Sequence, residues 1–469
     1  MDTYSPAHGG LAWCFDADVL QRHDKAGPRY TSYPTAPHFH DGFGERALAD
    51  ALAASNGPGK ALSLYVHVPF CSSPCFYCGC NRVITRDRSR GQAYVARVLA
   101  EADLLASHVD PQREVIQLHL GGGTPNFLTR DALVELLSGL RHRFTFSASP
   151  SRDFSIELDP RFIDRDDVAL LAELGFNRAS LGIQDFDPAV QVAINRVQDV
   201  GQTLDILQAC RDYGMRSVNV DLIYGLPGQT PQGFGRTLQQ VLALRPDRLA
   251  VYGYAHLPHV FRAQRQIDEA HLPAPEQKLA LLGLAVQQLM AAGYQYIGMD
   301  HFALPEEDLS RAQRAGQLHR NFMGYTTHAD TDLLGLGVSA ISSVGASYSQ
   351  NPRDLPSWEA AVDAGHMPVW RGLQLDPDDV LRADIIQHLM CHGEVDVAAL
   401  CAVRGVHFDT YFADALPRLA ALQADGLAEV IEGRVRVTEQ GRPLLRLLAM
   451  CFDRYLSQSA PVAQYSRAI

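Results

Sequence analysis

The chain carries a dense group of thiols that could bind a metal. Four of its nine cysteines fall within ten residues, in the segment CSSPCFYCGC. They are Cys71, Cys75, Cys78 and Cys80. Thiolates are soft ligands that select zinc, Cu(I) or iron–sulfur clusters. In a reducing compartment such a group indicates metal binding or redox chemistry rather than a disulfide framework.

The spacing C-x3-C-x2-C-x-C separates these alternatives only in part. Structural zinc usually takes two close pairs of ligands with a longer stretch between them, whereas the other cysteines of this chain are scattered. Three cysteines on one short loop can hold three irons of a cubane cluster, which leaves the fourth iron open for a substrate or cofactor. The spacing favours an iron–sulfur cluster, while zinc and unliganded thiols stay open.

The elements that must position this loop alternate between strands and helices from about residue 60 to 300. The predicted strands are 62–68, 114–120, 154–158, 178–183, 217–225, 247–254 and 294–299. The predicted helices are 94–108, 164–175, 203–214 and 276–293, because their apolar positions recur at three- and four-residue spacing. Such alternation predicts parallel strands covered by helices.

Six or more such units predict an α/β fold with a full or partial barrel. In a barrel the functional loops follow the carboxyl ends of the strands. Here those ends are polar or glycine-rich, and they read FCSSPC, GGGTP, ELDP, IQDF, DLIYGLP and YAHLP. A doubly wound open sheet is the alternative, and it would gather the ligand contacts at one crevice.

Two regions flank the predicted barrel domain of residues 46–370. Residues 1–45 show little periodicity, and 28–39 is predicted to be an extended segment lying over another part of the molecule, since X-Pro pairs favour extended backbone. A disordered tail is the alternative there. Residues 371–469 are predicted to form a mostly helical, winged-helix-like domain with a hairpin at 427–438 and a long helix at 443–456.

Charge argues against nucleic acid as a partner. The net charge is −12, whereas a nucleic-acid binder carries a basic footprint. Residues 376–433 hold eleven acidic residues against three arginines, which disfavours DNA binding by the winged-helix-like region. We therefore expect that region to be a structural cap.

The sequence shows no feature that directs the chain to a membrane. The N-terminus lacks a basic segment followed by an apolar core, which a secretory signal requires. The longest apolar stretch, 333–346, is too short and too rich in Ser and Gly to span a bilayer. We expect a soluble cytoplasmic protein with no membrane partner.

The motif C-x3-C-x2-C resembles that of the radical S-adenosylmethionine (SAM) superfamily. The aromatic Tyr77 precedes the third cysteine, as that superfamily prefers, and GGGTP at 121–125 resembles its glycine motif for the methionine amino group. Glycines permit close backbone approach, and exposed backbone groups can hold an amino-acid zwitterion. The resemblance implies a partial (β/α)6-type radical SAM barrel with an N-terminal covering segment.

The match is closer to one family, the oxygen-independent coproporphyrinogen III oxidases. The motifs that carry it are GPRYTSYPTA, YVHVPFCSSPCFYCGCN, LHLGGGTPNFL, ELDPR, LGIQDFDPAVQ, INRVQ, DLIYGLPGQT, YAHLPHVF, GMDHFALP and RNFMGYTT. They extend over essentially the whole chain from about residue 20. Haem chaperones share the three cysteines but usually lack the C-G-C and the PRYTSYPTA leader, and this chain has both.

The resemblance implies a 4Fe–4S cluster and two SAM molecules. It assigns the cluster to Cys71, Cys75 and Cys78. It assigns the first SAM to Tyr65, Gly122, Glu157 and Ile341, and the second to Tyr77, Gly123, Thr124, Gln184, Arg196, Asp221 and Ala255. A carboxylate at a strand end, such as Asp221, can accept from ribose hydroxyls, and Arg196 can hold a carboxylate in a fork.

The implied reaction is the anaerobic oxidative decarboxylation of two propionates of coproporphyrinogen III. A 5′-deoxyadenosyl radical removes a β-hydrogen, and loss of carbon dioxide and one electron leaves a vinyl group, giving protoporphyrinogen IX. The partners are then the substrate, an unidentified electron donor and an electron acceptor, and we expect a monomer. We expect Cys80 to act on the substrate side, Arg29 to meet a substrate carboxylate, and His67, His256 and His301 to be structural.

Two other functions remain open at this point. A haem-binding or haem-delivery protein on the same scaffold would bind haem without porphyrinogen turnover. A zinc-stabilised regulator would use the acidic winged-helix-like end as an interaction module, and it would contain zinc but no sulfide.

Overall fold

The computed structural model describes residues 2–4, 13–57 and 59–457. The remainder of the predicted segment 1–45 and of the predicted region 371–469 lies outside the described residues. The N-terminal elements are strands β1 (Asp2–Tyr4) and β2 (Trp13–Phe15) and helices α1 (Ala17–His23) and α2 (Glu45–Ser55). Helix α1 was not predicted, and it starts where the Asp16 carboxylate accepts from two backbone N–H groups.

Strands and helices alternate between residues 61 and 298. The strands are β3 (Ala61–Val68), β4 (Phe70–Cys71), β5 (Val83–Ile84), β6 (Glu114–Gly122), β7 (Thr145–Phe146), β8 (Asp153–Leu158), β9 (Arg178–Gln184), β10 (Ser217–Tyr224), β11 (Arg248–Gly253) and β12 (Gln295–Gly298). The helices are α3 (Ser89–Ala106), α4 (Arg130–Arg143), α5 (Arg165–Glu173), α6 (Pro188–Ala193), α7 (Val200–Asp212), α8 (Pro231–Ala243) and α9 (Pro275–Ala291).

A mainly β region follows, up to residue 374. Its strands are β13 (His301–Ala303), β14 (His319–Asn321), β15 (Gly324–Thr326), β16 (Thr331–Leu336), β17 (Ile341–Val344), β18 (Ser347–Gln350) and β19 (Arg371–Gln374). Its helices are α10 (Asp308–Arg314) and α11 (Leu355–Asp363).

The main sheet is a partial barrel. Strands β3, β6, β8, β9, β10 and β11 are neighbours in this order, and each is parallel to the next. Strand β16 adds to the free edge of β3, also in parallel. Because the order runs in one direction without reversal, the sheet has no switch point of the doubly wound kind. The predicted α/β partial barrel is confirmed.

The predicted strand 294–299 does not continue the parallel series. It forms β12, which pairs antiparallel with β13, and β13 pairs antiparallel with β11. Only Met299 and Asp300 separate β12 from β13. A two-residue connection can join antiparallel strands, but it is far too short for a parallel crossover. The prediction was right about the strand and wrong about its direction.

The two faces of the barrel strands differ in chemistry. Side chains alternate between the faces of a strand. Leu62, Leu64, Val66 and Val68 of β3 are almost fully buried in the main apolar core. Asp153, Ser155 and Glu157 of β8 instead line the barrel interior, together with polar residues of β9 and β10. The side of these strands that faces the interior is therefore rich in polar groups.

The C-terminal elements form a second apolar core with a small sheet. They are α12 (Pro377–His392), β20 (Glu394–Asp396), α13 (Val397–Val403), α14 (Phe408–Tyr411), α15 (Leu416–Ala424), β21 (Ala428–Ile431), β22 (Arg434–Val437) and α16 (Leu445–Cys451). The hairpin of β21 and β22 is as predicted, and β20 completes a three-stranded antiparallel sheet.

The predicted long helix at 443–456 is wrong. Helix α16 covers only seven residues and ends at Cys451. The Asp453 carboxylate accepts from the Tyr455 N–H at 2.9 Å and from the Tyr30 hydroxyl at 2.9 Å. An Asp side chain that binds a nearby backbone N–H competes with helix formation, and the chain turns there to meet the N-terminal segment.

The segment 28–39 joins the two cores. Tyr30 and Tyr33 are buried among the C-terminal helices, and the Tyr33 hydroxyl accepts from the Arg454 N–H at 3.1 Å. On its other side Arg29 pairs with Asp300, beside β13 of the barrel sheet.

Within the described ranges, no helix combines the length and the apolar character that crossing a membrane requires.

Candidate active site

The cysteine loop follows β3 at the carboxyl end of the sheet. Strand β4 begins the loop and pairs with β5, so that the Thr85 N–H donates to the Cys71 carbonyl at 3.0 Å. All four cysteines of the loop line one cavity of about 300 Å³. The loop therefore presents its thiols to the end of the barrel where functional residues are expected.

The glycine motif stands directly beside this loop. Gly122 has a φ of +113°, a conformation that glycine adopts without steric cost. A Cβ on Gly123 would come within 2.6 Å of the Pro69 carbonyl oxygen, so only glycine fits. The Thr124 hydroxyl lies 3.3 Å from the Cys71 Sγ. Strand pairing thus joins two motifs that are about 40 residues apart in the chain.

Most of the predicted site residues meet in the same cavity. Besides the four cysteines, the predicted residues that line it are Tyr77, Gly122, Gly123, Thr124, Glu157, Gln184, Arg196 and Asp221. Tyr65, Ala255 and Ile341 are not among its lining residues.

The three remaining residues are connected to the cavity through other residues. The Tyr65 ring stacks on His119, with ring centroids 5.9 Å apart. The Ala255 carbonyl accepts from Gln264, whose amide also donates to the Tyr77 carbonyl at 2.9 Å. Ile341 lies on β17, and its backbone closely approaches Gly335, the register partner of Tyr65. Tyr65 and Ala255 are thus each one residue removed from a lining residue, through His119 and Gln264, whereas Ile341 is more distant.

The thiols of the loop differ in acidity. Burial raises the pKa of Cys71 to about 11. A hydrogen bond from Cys80 lowers the pKa of Cys78 to about 6, and the Cys80 N–H also donates to the Cys78 Sγ at 3.4 Å. Only the thiolate is a metal ligand. Cys80 thus supports the ligand form of its neighbour.

Arg196 is held against the loop by Asp159, a residue that the sequence analysis did not single out. Both side chains are buried, and Arg196 Nη1 donates to Asp159 Oδ2 at 3.0 Å. Arg196 also lies 3.5 Å from the Cys75 Sγ and donates to the Gly182 carbonyl. Asp159 further pairs with Arg161 at 2.7 Å. The motif ELDPR contains Asp159, but only the fold shows its partners.

Glu157 is held by His119, which the sequence analysis also missed. His119 Nε2 lies 3.5 Å from Glu157 Oε1, and the Gly122 N–H donates to Glu157 Oε2 at 3.0 Å. Enclosure alone would raise the pKa of Glu157, but His119 and the Gly122 N–H together lower it. Glu157 is therefore a carboxylate near neutral pH, placed beside the glycine motif.

Asp221 is a second carboxylate at this end of the barrel. It accepts from Ser180 at 3.0 Å and from Asn219 at 2.8 Å, and neither donor carries a charge. Enclosure and the negative charge of Glu157 raise the pKa of Asp221 to about 6. Because no cation among the described residues pairs with it directly, Asp221 is available to accept from a ligand hydroxyl.

Arg29 does not end in the cavity. Its guanidinium pairs with Asp300 and lies 5.9 Å from the ring centre of Tyr252, which does line the cavity.

His67 lies between the Tyr65 hydroxyl and the Asn81 carbonyl, at 2.9 Å from each. These contacts agree with a structural role for His67.

The cavity suits an iron–sulfur cluster with SAM. Its donor set consists of three thiols on one loop, beside a glycine backbone that no larger residue could replace. Among the described residues, the buried Nε groups of Arg82 and Arg196 have no hydrogen-bond partner. Buried donors are normally satisfied, so these two are suited to a bound anionic group.

Comparison with known families supports this geometry. Residues 65–241 match the radical SAM superfamily, and residues 375–444 match the HemN C-terminal domain. The first match spans the barrel from β3 to α8, including the cysteine loop and the glycine motif.

The chain is similar along almost its entire length to curated relatives. It is 49% identical to the oxygen-independent coproporphyrinogen III oxidase of Pseudomonas aeruginosa, over 97% of this chain and 99% of that protein. It is 47% identical to the enzyme of the same name from Escherichia coli, over 97% and 98%.

A solved structure agrees with the sequence comparison. The coproporphyrinogen III oxidase of Escherichia coli, described as a radical SAM enzyme, superposes with a TM-score of 0.90 at 45% identity. The match covers 94% of this chain and 99% of that one. This chain therefore belongs to the family of oxygen-independent coproporphyrinogen III oxidases, within the radical SAM superfamily.

Proposed function

We propose that this chain converts coproporphyrinogen III into protoporphyrinogen IX without oxygen, as a step of haem biosynthesis. Two propionate side chains each lose one hydrogen atom, one molecule of carbon dioxide and one electron, and each becomes a vinyl group. The observation that carries the proposal is the meeting of the three-cysteine loop with GGGTP and two carboxylates at one cavity, in a chain 49% identical to an enzyme of that name.

Membership of the radical SAM superfamily implies a 4Fe–4S cluster and SAM. When bound, these groups supply the 5′-deoxyadenosyl radical that takes a hydrogen atom from the propionate. We assign the cluster to Cys71, Cys75 and Cys78, the three cysteines of the C-x3-C-x2-C motif, all of which line the cavity. The protein holds these groups in place and limits access of water and oxygen to the reacting carbon.

The first SAM is assigned to Tyr65, Gly122, Glu157 and Ile341. Support comes from Glu157, whose carboxylate is held by His119 and the Gly122 N–H beside the glycine motif. A carboxylate and backbone carbonyls there can accept from the ammonium of a methionine moiety. Tyr65 stacks on His119 and thereby limits the movement of this pair.

A second SAM is assigned to the other wall of the cavity. Its proposed contacts are Tyr77, Gly123, Thr124, Gln184, Arg196, Asp221 and Ala255. Arg196 is buried and cationic, and its Nε is unpaired among the described residues, which suits a carboxylate. Asp221 suits ribose hydroxyls, since its two present donors are uncharged.

Cys80 is proposed to act on the substrate side. Cys80 lines the cavity and is exposed, and the three other thiols of the loop suffice for the cluster. The Cys80 N–H donates to the Sγ of Cys78, so Cys80 lies next to a proposed cluster ligand.

We also propose the remaining partners and the organisation of the chain. The reaction requires an electron donor and an electron acceptor, and we propose a cytoplasmic monomer that binds neither nucleic acid nor membrane. Residues 1–45, 46–370 and 371–469 are proposed as covering segment, barrel domain and C-terminal domain. The separate apolar core of the C-terminal elements supports this division.

The decisive experiment is an anaerobic assay with reductant, SAM and coproporphyrinogen III. We expect protoporphyrinogen IX, two carbon dioxide molecules and cleaved SAM. A protein that instead binds haem and shows no turnover would be a haem-delivery protein. Zinc near one per chain without acid-labile sulfide would overturn the cluster assignment altogether.

A further inference from the structure

An apolar side chain lies on the surface directly opposite the first cysteine of the loop. Ile84 of β5 is the register partner of Cys71 in β4. Its side chain is 43% exposed, although isoleucine is among the residues most often buried. Ile84 therefore lies on the strand that is hydrogen-bonded to β4, which carries the proposed cluster ligand Cys71.

The chain segment around Ile84 is basic in an otherwise acidic molecule, although the Glu135 carboxylate accepts from Gln92 at its end. Between residues 82 and 92 the chain has four arginines and a single carboxylate, Asp87, while its net charge is −12. Arg86, Arg88 and Arg90 are exposed. Asp87 is engaged locally, because its Oδ1 accepts from the Ser89 N–H and hydroxyl.

Aromatic rings and backbone oxygens fix three of these arginines. The Arg88 guanidinium lies 5.2 Å from the ring centre of Phe127 and donates to its carbonyl at 2.7 Å. Arg90 lies 5.5 Å from the ring centre of Phe70, the residue before Cys71. Arg82 donates to the Cys78 and Cys75 carbonyls. Arg82 and Arg90 are therefore held against the cluster loop, and Arg88 is held against the segment that follows the glycine motif.

We propose that Ile84 with Arg86, Arg88 and Arg90 forms the docking surface for a small acidic one-electron carrier protein. This inference rests on the proposed function, which needs a reductant. For each SAM cleaved, the carrier is oxidised by one electron, and that electron breaks the carbon–sulfur bond to give methionine and the 5′-deoxyadenosyl radical. An apolar centre with a basic rim suits a transient partner of opposite charge.

The charges predict how the complex forms. Complementary potentials speed the encounter of two proteins and make the association rate fall as salt increases. An acidic carrier is repelled by most of a surface with a net charge of −12, and the basic face selects the one orientation close to the cluster loop.

The test uses the holoenzyme, prepared without oxygen, and a purified flavodoxin, a small acidic flavin protein, as the carrier. The main variant is the double substitution Arg86→Glu and Arg90→Glu. The single variant Arg90→Glu is compared with the control variant Arg46→Glu, which lies outside the proposed surface. Both positions are exposed in the first turn of a helix, where a Glu side chain is favourable. Reduction of the cluster is followed by its visible absorbance, once with reduced flavodoxin and once with dithionite.

We expect the double variant to be reduced by flavodoxin about tenfold or more slowly at low salt, with a weaker dependence on salt. Reduction by dithionite and the rate with the Arg46→Glu variant should stay at the wild-type level. Equal rates of flavodoxin reduction in wild type and double variant would overturn the docking surface. If the wild type reduced by dithionite fails to decarboxylate coproporphyrinogen III, the proposed function is wrong. The rates of reduction by flavodoxin still show whether the proposed docking surface is used.

Discussion

The two ends of the barrel interior use the same residue types in opposite ways. Asp153 and Glu157 lie on the same face of β8, four residues apart. At the amino end, Asp153 pairs with Arg178, which also binds Glu307. At the carboxyl end, the partners of Glu157 within the described part of the chain are His119 and a backbone N–H, and those of Asp221 are uncharged donors.

This difference indicates that the buried charges at the amino end are paired within the protein, whereas polar groups at the carboxyl end can pair with a ligand. Buried charges are costly unless they are paired, and at the amino end each carboxylate has an arginine. At the carboxyl end Asp159 is paired with two arginines, but Glu157 and Asp221, the thiols and the Nε of Arg196 have no such partner among the described residues and could contact cofactors. Substitutions at the amino end should therefore reduce stability, and those at the carboxyl end should reduce binding and activity.

The largest expected effect is at the cysteine loop. Cys75→Ser removes one of three proposed cluster ligands, and we expect the loss of acid-labile sulfide and at least a roughly thousandfold loss of turnover. Iron, sulfide and activity are measured on protein purified without oxygen. The control is Cys210→Ser, a fully buried thiol on α7 outside the cavity, which should retain its sulfide. Full sulfide in the Cys75 variant would refute the ligand assignment.

Next in size is the ion-pair network at the amino end. Arg178→Ala leaves Asp153 and Glu307 without this partner, and we expect the free energy of unfolding to fall by about 3–5 kcal/mol. Chemical denaturation of wild type and variant measures it. The control, Arg245→Ala, breaks an exposed pair with Glu306 and should cost about 0–1 kcal/mol. A similar loss in both variants would contradict the contrast between buried and exposed pairs.

A smaller effect is expected for the carboxylate Asp221. Asp221→Asn keeps the shape but removes the charge, so we expect SAM affinity to fall roughly 10- to 100-fold, as for a lost charged hydrogen bond, with little change in unfolding. Equilibrium binding to the cluster-loaded protein measures the affinity. Asp205→Asn, on the outer face of α7 and exposed, should leave it unchanged. Unaltered binding in the Asp221 variant would remove this residue from the site.

The smallest predicted effect is a pH dependence of SAM affinity. Because the pKa of Asp221 is raised to about 6, its carboxylate is charged above that pH and protonated below it. A charged acceptor binds ribose hydroxyls more strongly, so affinity should decrease as pH falls through 6 and level off above 7. Binding measured from pH 5.5 to 7.5 tests this, and the slope should vanish in Asp221→Asn. A slope that survives in that variant must come from another group.

The sequence could predict the features that depend on local spacing. The loop from Cys71 to Cys78, the glycines at 121–123 and the alternation of strands with helices each lie in a short stretch of chain. Because parallel strands end at one edge of a barrel, the meeting of loop and glycine motif followed from the strand order.

Pairings between distant segments could not be predicted in this way. The approach of His119 to Glu157, and of Arg196 to Asp159, depends on which strands become neighbours. The end of helix α16 at Cys451 depends on Asp453 meeting Tyr30, more than 400 residues earlier in the chain. Local propensity does not encode such contacts.

The sequence by itself determined the class of fold and the family, and it predicted the ligand set of the loop. The tertiary structure decided which polar groups are paired and which are left for ligands, and it turned 295–303 into an antiparallel hairpin at the sheet edge. The physical reason is that residue type and spacing fix what a side chain can bind, whereas burial and long-range neighbours fix its charge, its partners and its free hydrogen-bonding groups.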